Sequence, residues 1–277
     1  MSAQRRPVIL GGFAACAYAF LYLPIAVLIV YSFNRDGVGG FPPRHLTFDW
    51  YGRLFADSAM WSAVGNSVIV ATAAVILSML IGFPAAYALD RHDFPGKTMF
   101  QRLILLPLIV PGVITGISLL LLAVGGGLRL SLLTVILGHA TALTAVATTE
   151  IFAGFSKLDR ALEDASADLG ANGWQTLWRI TLPLLRTSLM GTALLVFTLS
   201  MDEIAVTFFL IGRENTLPLE IWSRLRRGAT PEMNAISTLI FLFSLFTIFV
   251  SQRLIGRAAG DGQSAAMPEA LLTGAAE

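Results

Sequence analysis

Residues 163–183 read EDASADLGANGWQTLWRITLP, a stretch with three acids and two tryptophans set inside a chain that is otherwise mostly apolar. Asp159, just upstream, suits the cap of a short helix in which Leu162, Ala165, Ser166 and Leu169 fall at i, i+3, i+4 and i+7. Those four form a narrow apolar face, and Glu163, Asp164 and Asp168 lie off it. Leu169, Gly170, Ala171 and Asn172 break the helix, Gly170 being free to take the left-handed conformation that ends one. A second helix follows with Trp174, Leu177 and Trp178 on one side, and Pro183 marks the start of the next apolar run. A hairpin this short has no core of its own. Its apolar face must be covered either by the ends of neighbouring helices or by a separate protein.

The surrounding sequence places this hairpin in a membrane protein. Of 277 residues 55% are hydrophobic and 13% charged, against about 25% charged in soluble domains, and the mean hydropathy is +0.71. Apolar runs cover 7–33, 61–89, 103–128, 130–149, 187–212 and 233–252, the fifth interrupted only by Asp202 and Glu203. Crossing a hydrocarbon core takes about 20 apolar residues, so the expected fold is an all-α integral membrane protein of six transmembrane helices. The first run is too long and aromatic for a cleaved leader and reads as a retained span. The single cysteine, Cys16, excludes an internal disulfide or a cysteine metal cluster. The net charge of +1 gives no reason to expect a nucleic-acid partner.

Lys and Arg placement favours both termini in the cytoplasm. That orientation puts eleven of the basic residues inside and eight outside, and makes 157–183 a cytoplasmic loop. Residues 1–256 are expected to form one transmembrane domain, and 257–277, polar and rich in Gly and Ala, a disordered cytoplasmic tail. Between the first two spans, GVGGFPPRHLTFDWYGRLF (37–55) combines turn residues with an amphipathic piece carrying Trp50, Tyr51, Leu54 and Phe55, suited to a membrane interface. The third span holds Pro107, Pro111, Gly112 and Gly116. Each proline removes a helix hydrogen bond that lipid cannot replace, so this span should be kinked. The kink serves either packing or the lining of a path.

The spacing of Glu163, Ala165, Gly170, Ile180, Leu182 and Pro183 resembles the EAA motif in the permease subunits of type I ABC importers. Asp164 stands where that motif usually has its first alanine. Further stretches, LTFDWYGRLFADSAMWSAVGNSVIVA, LDRHDFPGK, LSMDEIAVTFFLIG and TLPLEIWSRLRRGATPEMNAISTL, are similar to the spermidine/putrescine permease subfamily, specifically its second permease subunit. The resemblance runs from about Pro7 to Arg257. It implies a MetI-like permease fold in the bacterial inner membrane, with cytoplasmic ATPase subunits, a second permease and an extracytoplasmic binding protein as partners. It further implies that Glu163, Ala165, Gly170, Leu182 and Pro183 couple ATPase closure to the spans. Polyamine-transporting members usually carry an acid just after the proline of span three, where this chain has Gly112, and often a proline in span four, where it has Ala145.

Asp202 and Glu203 fall about 15 residues into the fifth run, or ~22 Å along a helix, where a charge costs at least about 2.5 kcal/mol and should face protein or water. One reading is a path that attracts a cationic substrate, with Ser200, Asp202, Glu203 and Pro111 as its candidate residues. The other is an ion pair with Arg213 or an outer-loop arginine, or placement at the interface. Residues 213–232, with Arg224, Arg226 and Arg227, read as a surface face or a contact for the binding protein. His45, His92 and His139 have no metal spacing, and His139 reads as a packed, hydrogen-bonded residue. Glu150 ends span four at the inner interface.

No Gly-rich loop with lysine of the Walker type is present, so the chain is expected to be a transport subunit and not an enzyme, with no cofactor of its own and ATP bound by a partner. The expected cargo is a small cationic amino compound such as a polyamine, the alternative an opine-like or other organic solute. A membrane enzyme would need clustered catalytic groups, and an ion-coupled carrier would show internal repeats. Neither feature is seen.

Overall fold

The computed structural model describes residues 5–36, 42–228 and 230–246, with side chains from Leu10 onward. The helices are α1 (Arg5–Tyr31), α2 (Asp49–Ala56), α3 (Ser58–Arg91), α4 (Lys97–Ile109), α5 (Gly112–Gly125), α6 (Leu132–Phe155), α7 (Ala161–Asp168), α8 (Gly173–Thr176), α9 (Leu182–Met201), α10 (Ala205–Leu210), α11 (Leu217–Arg227) and α12 (Pro231–Phe246). Among the described residues the only β pairing is one bridge, Asn34 to Leu46.

Four stretches are long and apolar enough to cross a bilayer unbroken: Leu10–Tyr31, Ser58–Arg91, Leu132–Phe155 and Gly173–Met201. The third expected span departs from the sequence reading. In place of one kinked helix, α4 and α5 meet at 104°. Val110 is extended, with ψ 127°, and Pro111 likewise, with ψ 135°. Proline drives the residue before it out of the helical region and donates no N–H, so the chain turns at this pair. The sixth expected run, 233–252, is helical as far as Phe246; its remainder and the expected tail 257–277 lie outside the described residues.

The chain divides into two compact units. In the unit of residues 58–224, α3 runs along α6 and both pack on α9, while α5 and α10 pack together. Small residues set the spacing: a Cβ on Gly82 would come 3.0 Å from the Ala147 Cβ, the close approach that membrane helices rely on for packing. One apolar cluster gathers Val70, Val135, Val206 and Leu210; another, nearer the 157–183 hairpin, gathers Ala86, Ile151, Phe155 and Leu185.

The second unit holds the residues before Ser58 and after Arg224. Helix α1 is apolar around its circumference and exposed, with Phe13 and Phe20 more than 70% accessible, as suits a helix in hydrocarbon. The aromatics expected at the interface engage the turn that follows it. Trp50 Nε1 donates to the Asn34 carbonyl at 2.8 Å, and the Tyr51 hydroxyl lies 2.7 Å from Ser32 Oγ.

Candidate functional site

The hairpin begins with the helix α7. Asp159 Oδ1 accepts the Ala161 N–H at 3.0 Å. At the far end Gly170 has φ +84°, with Gly170 N–H bonded to the Ala167 carbonyl at 2.9 Å and Ala171 N–H to the Ser166 carbonyl at 3.1 Å. This bond pair is the Schellman ending, whose left-handed position favours glycine. Asn172 then caps α8 through a reciprocal pair with Gln175, each bond 2.9 Å.

Two details correct the sequence reading. The second helix is not separate from the span: α8 passes through a π-helical turn, Leu177–Thr181, directly into α9. Leu182 N–H reaches five residues back to the Leu177 carbonyl. Pro183, the second residue of α9, cannot donate to the carbonyl four residues before it, and the wider turn gives its ring room. The expected apolar face is also split. Ser166 turns inward, its hydroxyl 3.0 Å from that of Thr176, whereas Leu162, Ala165 and Leu169 are exposed, Leu169 by 90%.

Glu163 sets this rotation. Its carboxylate lies 2.8 Å from Arg91 Nε, accepts from Arg91 Nη2 at 3.1 Å, and accepts the Thr181 hydroxyl at 2.7 Å. Arg91 is the last residue of α3, pairs with Asp90 and lies with its guanidinium carbon 5.3 Å from the Phe155 ring centre. Arg160 donates to the Asp90 carbonyl at 2.7 Å. One carboxylate thus ties α7 to the end of α3 and to the turn that opens α9. Next to the network, Lys97 hydrogen-bonds Asp93 at 2.9 Å and holds its carboxyl below the ordinary carboxylate range. Leu182 lines an apolar groove of about 640 Å³ with Phe83, Tyr87, Trp174, Trp178 and Leu189. Pro183 is exposed.

The intramembrane acids occupy a second break. Helix α9 ends at Met201, Asp202 leaves it, and α10 resumes at Ala205. Glu203 Oε1 accepts the Val206 N–H at 2.9 Å and so closes the start of α10. Asp202 is exposed, and among the described residues neither acid forms an ion pair, Arg213 included. The break in the third run lies against this one. A Cβ on Gly112, next to Pro111, would be 3.2 Å from the Ala205 Cβ and 3.8 Å from Glu203 Oε1. Two interrupted helices therefore meet where the acids sit, and the ends of such helices leave backbone groups without intrahelical partners. Ser200 is buried, with its hydroxyl 2.7 Å from His139 Nδ1.

Residues 78–259 match the model of a family described as "Binding-protein-dependent transport system inner membrane component". The chain belongs to this family. It is 38% identical over 253 residues to "Putrescine transport system permease protein PotI" of Escherichia coli (strain K12), covering 87% of this chain and 88% of the relative. It is 34% identical over 243 residues to "Spermidine/putrescine transport system permease protein PotC" of Haemophilus influenzae, covering 87% and 94%. A solved bacterial ABC transporter that imports the acidic polysaccharide alginate shares the fold, with a TM-score of 0.68 at 21% identity over 90% of this chain and 94% of that one. The protein is thus a multi-pass inner-membrane permease with the MetI-like fold, a transport subunit and not an enzyme.

The sequence reading of this permease does not reach Arg91, Arg160 and Thr181, which hold the hairpin; it expects His139 to be packed and hydrogen-bonded, as it is, without naming Ser200 and Thr207 as its partners. The one local signal was an Asp-Arg pair closing a long apolar run. The outer-segment arginines divide. Arg224 bonds the largely buried Glu220 at 2.7 Å, while Arg226 and Arg227 are exposed.

Proposed function

We propose that this permease forms the translocation path of an ATP-driven importer for a small cationic amino compound of the polyamine class. Its partners in this reading are cytoplasmic ATPase subunits, a second and different permease, and an extracytoplasmic binding protein, with both termini in the cytoplasm. The observation that carries the reading is Asp202, an exposed carboxylate without an ion-pair partner among the described residues, at the meeting of two broken helices. Broken helices at such a site are how transporters offer backbone dipoles to a cargo within the bilayer, and an uncompensated acid there marks a cation path. Glu203 serves the break itself, so Asp202 is the acid assigned to the cargo. The names of the relatives, putrescine and spermidine/putrescine permeases, agree with a polyamine.

The hairpin is assigned to ATPase coupling. Glu163 anchors it, Gly170 shapes its tip, and Leu162, Ala165 and Leu169 are left outward with Asp164 and Asp168 around them, a surface suited to a groove in a partner. Leu182 and Pro183 carry its displacement into α9. Nucleotide-driven closure then biases a two-state arrangement of the spans.

Gly112 favours the second reading, an opine-like or other amino compound with fewer positive charges. A Cβ there would press on Ala205 at 3.2 Å and bring an acid toward Glu203, so this place is poorly suited to a second carboxylate. Asp202→Asn decides the main reading. In the assembled transporter it should lower uptake of labelled putrescine at least tenfold with the protein inserted normally, and unaltered uptake overturns the path assignment.

A further inference from the structure

The interruption of the fifth span at residues 202–204 is bridged by a side chain from another helix. His139, in the third turn of α6, is 1% exposed. Its Nδ1 lies 2.7 Å from Ser200 Oγ in the last turn of α9, and its Nε2 lies 2.8 Å from Thr207 Oγ1 in α10. Both hydroxyl-bearing residues are themselves buried. The ring therefore holds both ends of the span across the acid-bearing gap.

The donors and acceptors fix one proton arrangement. Thr207 Oγ1 is 2.8 Å from the Glu203 carbonyl, which only accepts, so the hydroxyl proton is committed there. Thr207 Oγ1 must then accept from His139 Nε2–H. A neutral imidazole has one N–H, which leaves Nδ1 to accept the Ser200 O–H. The series Ser200 to His139 to Thr207 to the Glu203 carbonyl is satisfied at every step and ends on the backbone of an acid in the gap.

We propose that His139 is a positioning residue: as the neutral Nε2–H tautomer it fixes the spacing and rotation of α10 relative to α9, and so aims Asp202 at the path. This rests on the reading of Asp202 as the cargo acid. A packing role would need only volume. The proposed role needs a donor at one end of the side chain and an acceptor at the other, which a glutamine amide supplies and leucine does not.

The test uses the complete transporter in membrane vesicles, with labelled putrescine and saturating binding protein, and reads uptake per ATP hydrolysed together with the amount of inserted chain. His139→Leu should lower that ratio about tenfold, the cost of leaving the buried Ser200 hydroxyl without its acceptor while Thr207 keeps only its bond to the Glu203 carbonyl, and His139→Gln recovers at least half of it. Ser200→Ala with Thr207→Val should match His139→Leu, and adding His139→Leu to that pair should cause no further loss, as expected of groups acting through one linkage. Uptake at the normal ratio in His139→Leu overturns the proposal, as does the absence of any advantage of His139→Gln over His139→Leu. Asp202→Asn run in parallel separates the two readings. If it leaves uptake unchanged the path assignment fails. If it impairs uptake while His139→Leu does not, only the positioning role fails.

Discussion

Arg91 and Glu163, 72 residues apart in sequence, meet with Arg91 Nε 2.8 Å from Glu163 Oε2, their side chains 9% and 19% exposed. Arg91 Nη2 donates to Glu163 Oε1 at 3.1 Å, and with water largely excluded a hydrogen bond between charged groups is worth about 1.5–3 kcal/mol. Glu163→Lys should abolish ATP hydrolysis stimulated by loaded binding protein while the chain stays inserted, because two cations then face each other and the hairpin leaves its seat. Arg91→Glu should do nearly the same. The double exchange, Arg91→Glu with Glu163→Arg, should restore a substantial part of the stimulated hydrolysis. A double variant no better than either single one would show that the pair does not hold the hairpin.

Gly170 sits at φ +84° with open space where a Cβ would go, so the cost of a side chain there is conformational and not steric. The left-handed region costs a non-glycine residue roughly 1–2 kcal/mol. Gly170→Ala should therefore weaken the hairpin tip and lower stimulated ATP hydrolysis several-fold. Gly173→Ala, also in open space but without positive φ, should leave it unchanged. Equal behaviour of the two would remove the turn from the coupling argument.

What the sequence makes legible here is local. Apolar runs locate the long helices, Pro111 marks the third-span break, and Gly170 with Asn172 marks the hairpin tip, because each acts on its own few residues. The angle of the third-span break was not legible: two adjacent extended residues turn a kink into a bend of 104°. The contacts that give Glu163 and His139 their meaning were not legible either. Their partners lie 61 to 72 residues away for Arg91, Ser200 and Thr207, and even Thr181 is 18 away. The split of the α7 face follows from the same cause. Periodicity grouped Ser166 with the leucines, but an ion pair to a distant arginine set the helix rotation.

The junction of α5 and α10 depends on the absence of a side chain at Gly116. A Cβ there would fall 2.7 Å from the Phe209 ring and 3.1 Å from the Ala205 carbonyl, the second of which cannot rotate away. Overpacking of this kind costs about 1–3 kcal/mol. Gly116→Ala should lower the thermal stability of the detergent-solubilised complex and reduce putrescine uptake. Gly125→Ala, at the other end of the same helix with nothing within 4 Å, should do neither. An unaffected Gly116→Ala would mean that α5 and α10 move apart freely at this point.

An acid at position 112 tests the electrostatics of the two facing breaks. The carboxylate of Gly112→Asp would enter beside Glu203, whose Oε1 is 3.8 Å from the place of the new Cβ and holds the Val206 N–H. A second carboxylate entering beside Glu203 repels it, and Glu203 would be drawn off the start of α10. Gly112→Asp should therefore lower putrescine uptake more than Gly112→Asn, which adds nearly the same bulk without charge. Combining Gly112→Asp with Glu203→Gln should bring uptake back to the level of Gly112→Asn, because only one of the two groups is then ionised and the amide oxygen still accepts from Val206. Equal loss in Gly112→Asp and Gly112→Asn would assign the effect to crowding against Ala205 and leave Glu203 without an electrostatic role at the break.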